Sequence, residues 1–183
     1  MQEFVAFEHD LAAGIVGNLT GLFGQMLDVV DDMIFVKDLD GAFVYNNAAH
    51  LAFLGIERDA ARGKTDFDLF PATEAELFFA HDTRLLESER PVVSVHPARN
   101  EGGQPVLDVA FKSVARTTVG EIIGLVGIVK RVPVGAVTTD AAVRAQVSAI
   151  VTRTFSGSIE PTQLQALDQS VVAAMRQARE LTA

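Results

Sequence analysis

Histidine is the residue type here best suited to bind a metal or move a proton, and the chain has His9, His50, His81 and His96. No pair of them has the spacing of a metal site, so we expect no resident metal ion. The sequence has no cysteine. This excludes disulfides, iron–sulfur clusters, thiolate metal sites, a cysteine nucleophile and any cysteine-linked cofactor.

Asp66 and Asp68 are nearby carboxylates that could, by type, do acid–base chemistry. Their surroundings are typical of a turn, and we expect Asp66 to cap the short helix that follows. Serine, histidine and aspartate all occur, but the sequence has neither a nucleophile elbow nor a Gly-rich phosphate loop. We therefore expect a protein that is not an enzyme.

The composition indicates a folded, acidic chain with an aromatic core. Of its 183 residues 49% are hydrophobic, and the aromatic residues are 12 Phe, one Tyr and no Trp. The net charge is -9, and the first basic residue, Lys37, follows six acidic ones. Binding to nucleic acid needs clustered Lys and Arg, so we expect this chain not to bind nucleic acid.

Residues 4–30 are predicted to form an amphipathic helix, because apolar residues recur at steps of three and four. The uncharged run 11–27 is short for a membrane span, is interrupted by polar residues and has no basic anchor. We therefore expect no membrane segment and no secretory signal. The stripe is predicted to mediate dimerisation or packing through Phe7, Leu11, Ile15, Leu19, Leu22 and Met26.

The period of the hydrophobic pattern changes after residue 30, and Asp38–Gly41 is a turn between two short strands. Further on, Leu107, Val109 and Phe111 alternate with polar or small residues, which predicts a strand with one buried face. Thr73 and Glu76 could form a capping box at the start of the longest central helix. The predicted strands cover 33–37, 42–46, 92–95, 106–114 and 122–132, and the predicted helices cover 47–54, 58–61, 73–88, 140–155 and 161–181.

The last predicted helix begins at Pro161, a favoured first helical position. Its apolar residues alternate steps of three and four, which is the pattern of a coiled-coil seam. The seam covers under three heptads and would be marginal alone. It consists of Leu164, Leu167, Val171, Ala174, Ala178 and Leu181.

Several motifs resemble the PAS domain of the PAS-4 type. The hairpin 34–45 resembles the opening hairpin of that family, and 63–71 reads GKTDFDLFP, which fits a family segment almost letter for letter. Asn47, the Leu54-Gly55 pair and the LES segment at 86–88 fit the helices, and 120–128 fits the final strand. The resemblance covers about residues 28–132.

The resemblance implies an α+β protein: a five-stranded antiparallel sheet with short helices on one face and a small cavity between them. The implied division is an N-terminal helix over 1–30, a PAS domain over 31–132 and a helical tail over 133–183. Arg131 stands where such domains often have an Asp that couples the core to an outgoing helix. The usual coupling is therefore not expected.

PAS cavities hold heme, flavin, small organic molecules or nothing, and the resemblance alone does not specify a cofactor for this chain. The absence of cysteine excludes the flavin–cysteine adduct of light–oxygen–voltage sensors and the chromophore of photoactive yellow protein. Heme would need an axial histidine. His81 lies on the helix that bears this ligand in oxygen-sensing relatives, and is the heme candidate.

The Phe-rich block is compatible either with a filled core or with an apolar ligand. The residues expected to line the cavity are those that resemblance and pattern place between helices and sheet. They are Phe43, Tyr45, Asn47, Phe53, Phe67, Phe70, Phe78, His81, Val109, Phe111 and Leu125.

The sequence thus predicts a cytoplasmic sensory protein that binds a small apolar ligand or a partner in the PAS core. It would relay this through its flanking helices as a homodimer. The alternatives are a ligand-free scaffold whose tail seam binds a partner protein, and a heme-based gas sensor that uses His81. The chain could also be the N-terminal part of a longer regulator.

Overall fold

The computed structural model describes residues 19–100, 102–134, 139–155 and 161–180. These residues form five strands and seven helices in the order expected of a PAS domain: two strands, four helices and three strands, flanked by one helix before and two after. The strands are β1 Met33–Lys37, β2 Phe43–Asn46, β3 Val92–Arg99, β4 Pro105–Arg116 and β5 Ile122–Pro133. The helices are α1 Leu19–Asp28, α2 Ala48–Leu54, α3 Arg58–Ala61, α4 Asp66–Leu69, α5 Ala72–Ser88, α6 Asp140–Phe155 and α7 Pro161–Glu180.

The strands form one antiparallel sheet in the order β2-β1-β5-β4-β3. The α+β class and the five-stranded antiparallel sheet are confirmed. The first and the last strand in the sequence, β1 and β5, are therefore neighbours in the middle of the sheet. Gly127 of β5 leaves room for the Phe35 ring of β1, because a Cβ there would lie 2.2 Å from the ring.

Both faces of β4 are buried, although the alternation predicted only one buried face. Leu107, Val109 and Phe111 point to the face covered by α6 and α7. The alternate residues Asp108 and Lys112 are also buried, on the face covered by α2 to α5. We call the second face the inner face and the first the outer face. The polar positions of β4 are therefore not a solvent-exposed side of the strand.

The C-terminal helices cover the outer face of β3 and β4. Val143, Val147 and Val151 of α6 pack in one cluster with the apolar residues of β4 and α7. The α7 residues of this cluster include most of the predicted coiled-coil seam: Leu167, Val171, Ala174 and Ala178, together with Met175. The seam is thus used within the chain, against the sheet and α6. The side chains of Leu164 and Leu181 lie outside the described residues.

Helix α1 covers the outer face near β2. The Tyr45 hydroxyl donates a hydrogen bond to the Gly24 carbonyl (3.2 Å), and Arg58 of α3 binds both oxygens of Asp28 at 2.8 Å. Of the predicted dimerisation residues, Met26 lies on α1 with its side chain largely exposed. Phe7, Leu11 and Ile15, and the side chains of Leu19 and Leu22, lie outside the described residues.

Two predicted helix starts need correction. Helix α5 begins at Ala72 after Pro71, and not with a capping box at Thr73. Helix α4 is capped by Thr65, whose backbone N–H donates to Asp68 Oδ2 (2.8 Å). Asp66 is therefore inside the helix, and its carboxylate is free to point into the core. Within the described ranges, no helix combines the length and the apolar character needed to cross a bilayer.

Candidate ligand-binding site

A cavity of about 110 Å³ lies between the inner face of the sheet and the helices α2, α4 and α5. Its size is of the same order as the roughly 150 Å³ cavity known to hold benzene. Both apolar and charged side chains face it. The lining residues are Met33, Phe35, Lys37, Phe43, His50, Phe53, Asp66, Phe70, Glu74, Phe78, His96, Pro97, Ala98, Asp108, Ala110, Lys112 and Val129.

Phenylalanine rings from both layers form the apolar wall. Phe35 and Phe43, on β1 and β2, meet edge to face with ring centres 5.7 Å apart. Phe70 and Phe78, from the helical layer, meet in the same way at 5.1 Å. Phe53 of α2 lies 6.4 Å from Phe70. Edge-to-face pairs fix ring orientation more than area burial alone would, so the wall has a defined shape.

A buried network of four charged residues lies against this wall. The Lys37 ammonium of β1 binds Asp66 of α4 and Asp82 of α5, the latter at 2.8 Å. The Lys112 ammonium of β4 binds the other oxygen of Asp82. All four residues are buried, so each charge depends on its partners rather than on water.

Burial dominates the electrostatics of this network. It lowers the pKa of Lys112 and raises the pKa of Asp66, although the opposite charges nearby act against both shifts. The rings contribute too, since Lys37 Nζ lies 4.8 Å from the centre of Phe43. The opposite charges of the network therefore offset part of the cost of burying these groups.

The two histidines of the cavity wall are held neutral. Burial is the first cause that lowers the pKa of His50 to about 4, and Lys37 adds to it. Burial also lowers the pKa of His96 to about 4, with the nearby His81 and Lys112 acting in the same direction. His50 Nδ1 accepts from the Asn46 amide (2.8 Å), so the His50 proton resides on Nε2.

Arg131 makes a contact that the resemblance did not imply. Its guanidinium binds both oxygens of Asp108 on the neighbouring strand β4, at 2.8 and 3.0 Å, and lies over the Phe53 ring. Asp108 is a cavity residue, so Arg131 neutralises one carboxylate of the wall. In this chain, Arg131 therefore contacts residues of the inner face.

Of the residues predicted to line the cavity, the structure brings Phe43, Phe53, Phe70 and Phe78 together there. Three others lie away from it for identifiable reasons. Val109 and Phe111 occupy the outer positions of β4, and Phe67 is 53% exposed on α4, beside Phe79. The prediction that these three line the cavity is therefore corrected.

The remaining predicted residues hold the frame around the cavity. Leu125 packs with Phe35, Phe43 and Leu85 in the inner core. Tyr45 faces α1 on the outer side of β2. Asn47 caps α2, accepting from the backbone N–H of His50 (3.1 Å), and also donates to three carbonyls at 27, 30 and 32. None of the three lines the cavity.

His81 does not fit the heme hypothesis. It is half-buried on α5, outside the cavity lining, with its ring 5.7 Å from that of His96. A cavity of about 110 Å³ is also too small for a porphyrin, which is several times the size of benzene. Among the described residues, no group of three or more His, Asp or Glu side chains could hold a metal ion.

Sequence reasoning missed the charged part of the site. Lys37 ends an apolar strand, and Asp108 and Lys112 lie among the apolar residues of β4. Ionisable residues inside strands that are otherwise too apolar for an exposed sheet could have indicated buried charges. The link to Asp66 and Asp82 depends on tertiary packing.

The family comparison agrees with this geometry. The model of the PAS_4 family, described as PAS fold, matches residues 27–132. The chain therefore belongs to the PAS_4 family, and its core is a PAS domain, a general sensory and signalling module. No curated protein matches the sequence.

Solved structures share the fold at low identity. A PAS domain from Colwellia psychrerythraea has a TM-score of 0.51 at 16% identity, covering 63% of this chain and 98% of its own. The PAS domain of BvgS from Bordetella pertussis has 0.52 at 19%, covering 74% and 98%. VqmA from Vibrio cholerae, in a complex with ligand and DNA, has 0.55 at 16%, covering 88% and 78%.

Replacing Asp82 tests the network. We expect Asp82→Asn to lower the free energy of unfolding by about 3–5 kcal/mol, because two buried ammonium groups lose their shared carboxylate. Urea denaturation at pH 7 measures this. Glu87→Gln on the exposed side of the same helix removes the same charge and should cost under about 0.5 kcal/mol. Equal losses in both variants would show that the two ammonium groups do not depend on Asp82.

The cavity histidines predict acid sensitivity. Because their folded pKa values lie near 4 and the unfolded value near 6.5, the unfolded state binds protons first as pH falls. Stability should be full above pH 6.5 and decline down to about pH 4, by about 1–2 kcal/mol per histidine between pH 7 and 5. Unfolding curves combined with NMR titration measure this, and a ring of either histidine that titrates near 6.5 in the folded protein would contradict it.

Proposed function

We propose that this chain is a cytoplasmic sensory module that binds a small molecule in the inner cavity and relays its occupancy through the flanking helices. The observation that carries the proposal is the cavity itself. It has a volume of about 110 Å³. Its lining of aromatic side chains with a few convergent charged groups is typical of a small-molecule site. In this proposal the chain binds and signals, and does not catalyse.

The contacts of α2 support a relay to the N-terminal helix. His50 and Phe53 of α2 line the cavity. Asn47, which caps α2, donates hydrogen bonds to the Leu27 carbonyl (3.0 Å) and the Asp32 carbonyl (2.9 Å) around the end of α1. Asp28 of α1 in turn accepts from the first N–H of α2, that of Ala48 (2.9 Å). A shift of α2 on ligand binding would therefore move the end of α1.

Helix α1 supplies the proposed dimer contact. Met26, which belongs to the apolar stripe predicted from the sequence, is 64% exposed, and Val29, just beyond the end of α1, is 82% exposed. An apolar stripe of this kind needs a partner, and a second copy of the chain satisfies it. The similar VqmA structure from Vibrio cholerae is described as a dimer, which supports this proposal. The net charge of -9 supports the absence of nucleic acid from the proposed partners.

A cavity-filling variant tests ligand binding. Ala110 lies on the inner face and lines the cavity, so Ala110→Leu should fill it with little change in stability. We expect a stoichiometric small molecule in denaturing extracts of wild type purified from its native host, detected by mass spectrometry. It should be absent from Ala110→Leu and retained in Ala60→Leu, which alters an exposed position. An empty wild type, or a molecule retained equally in all three proteins, would refute the proposed site.

A charge placed on the α1 stripe tests dimerisation. We expect Met26→Glu to weaken the dimer by about tenfold or more, because the carboxylate would be buried without a partner. Sedimentation velocity over a concentration series measures this. Gln25→Glu adds the same charge at an exposed neighbouring position outside the stripe and serves as the control. A wild type that stays monomeric at all concentrations would refute the dimer.

A further inference from the structure

The ammonium of Lys112 is a buried donor with spare capacity. Lys112 is 4% exposed and lines the cavity. Within the described part of the chain, its one hydrogen bond goes to Asp82. An ammonium group carries three N–H donors, so two of them have no protein acceptor there. A buried donor without an acceptor is costly, and a ligand in the adjoining cavity could supply the acceptor.

Lys37 differs from Lys112 in this respect. Its ammonium already binds two carboxylates, those of Asp66 and Asp82. Its Nζ also lies 4.8 Å from the centre of the Phe43 ring, which is closer than Lys112 Nζ lies to the rings of Phe35 (5.8 Å) and Phe78 (5.7 Å). Lys112 therefore has the greater unused capacity for a polar group of the ligand.

The buried charges around the cavity are balanced before any ligand binds, and the remaining charged residue of the lining, Glu74, is exposed to water. Lys37 and Lys112 match the carboxylates of Asp66 and Asp82. Asp108 is neutralised by the bidentate contact with Arg131. An additional anion or cation in the cavity would be buried without a counter-charge, and burial of a lone charge is expensive. The balance favours a neutral ligand.

The walls specify the shape of that ligand. The volume of about 110 Å³ admits a molecule of roughly one ring. Lys112 Nζ lies 5.8 Å from the ring centre of Phe35 and 5.7 Å from that of Phe78. A flat ring bound near Lys112 would therefore meet aromatic faces and edges, which favour planar partners.

We propose that the cavity binds a neutral single-ring aromatic or heteroaromatic molecule whose carbonyl oxygen or ring nitrogen accepts a hydrogen bond from the Lys112 ammonium. This inference rests on the proposed function, because it names the ligand class of the same cavity. It adds Lys112 as the residue that selects the ligand.

Four molecules of nearly equal shape separate the possible chemistries. Benzamide is neutral with an acceptor, benzoate is an anion, benzamidinium is a cation, and isopropylbenzene is apolar. With ligand-free wild type at pH 7, we expect calorimetry or ligand-observed NMR to show benzamide binding about 10- to 100-fold more tightly than the other three. Benzoate or benzamidinium binding best, or isopropylbenzene binding as well as benzamide, would overturn the inference.

Replacing Lys112 tests its role directly. Lys112→Met should reduce benzamide binding to the level of isopropylbenzene, while Lys64→Met, at an exposed lysine, should leave the preference unchanged. Because Lys112→Met leaves Asp82 with one partner, the double variant Lys112→Met with Asp82→Asn keeps the charges balanced and serves if the single variant does not fold. A preference for benzamide that survives in Lys112→Met or in the double variant would overturn the inference.

The outcomes distinguish this inference from the proposed function. If none of the four molecules binds but a molecule co-purifies with wild type and not with Ala110→Leu, the proposed function stands and the ligand class is wrong. If none binds and wild type carries no molecule, both are wrong.

Discussion

The carboxylate of Asp82 is the interaction on which the arrangement of this domain depends. It belongs to α5, and its two oxygens bind lysines on β1 and β4, which are separated in the sheet by β5. One side chain thereby ties the longest inner helix to two strands across the width of the sheet. Asp66 adds a second tie from α4 to Lys37. Buried ion pairs of this kind contribute little net stability but require one geometry, since each partner is costly to leave alone.

That requirement explains how a Phe-rich core keeps an open space. Rings alone would collapse to ordinary packing density, because a void forfeits their contacts. Here the ammonium groups of Lys37 and Lys112 stand among Phe35, Phe43 and Phe78, and their carboxylate partners fix the spacing of the helices above them. The cavity lies beside this network, so its shape is set by charges that cannot move apart independently.

The fold was predictable from the sequence because its signals are local. The change of hydrophobic period after residue 30, the Asp-Gly turn and the GKTDFDLFP segment each report on a few neighbouring residues, and together they specify the PAS order of elements. Only the apolar part of the site was predictable from the sequence. It consists of Phe43, Phe53, Phe70 and Phe78. The polar part of the site joins Lys37, Asp66, Asp82 and Lys112 across up to 75 positions of sequence, and such pairing follows from tertiary packing rather than from any window. The face of β4 was misjudged for the same reason: the tail helices that bury its other side are distant in sequence.

Strand β4 also connects the cavity to the rest of the chain. Ala110 and Lys112 face the cavity, while the alternate residues Val109 and Phe111 pack against the cluster formed by α6 and α7. A strand is stiff across its thickness, so a movement of the inner side chains that shifts its backbone must alter the packing of the outer ones. At the other edge of the sheet, Asn47 joins the cavity helix α2 to α1. The two flanking helical regions thus contact the same core from different sides, and neither contact uses the Asp that Arg131 replaces. In the proposed function, coupling would pass through packing on the outer face and through the cap of α2, and it would not need the usual outgoing contact.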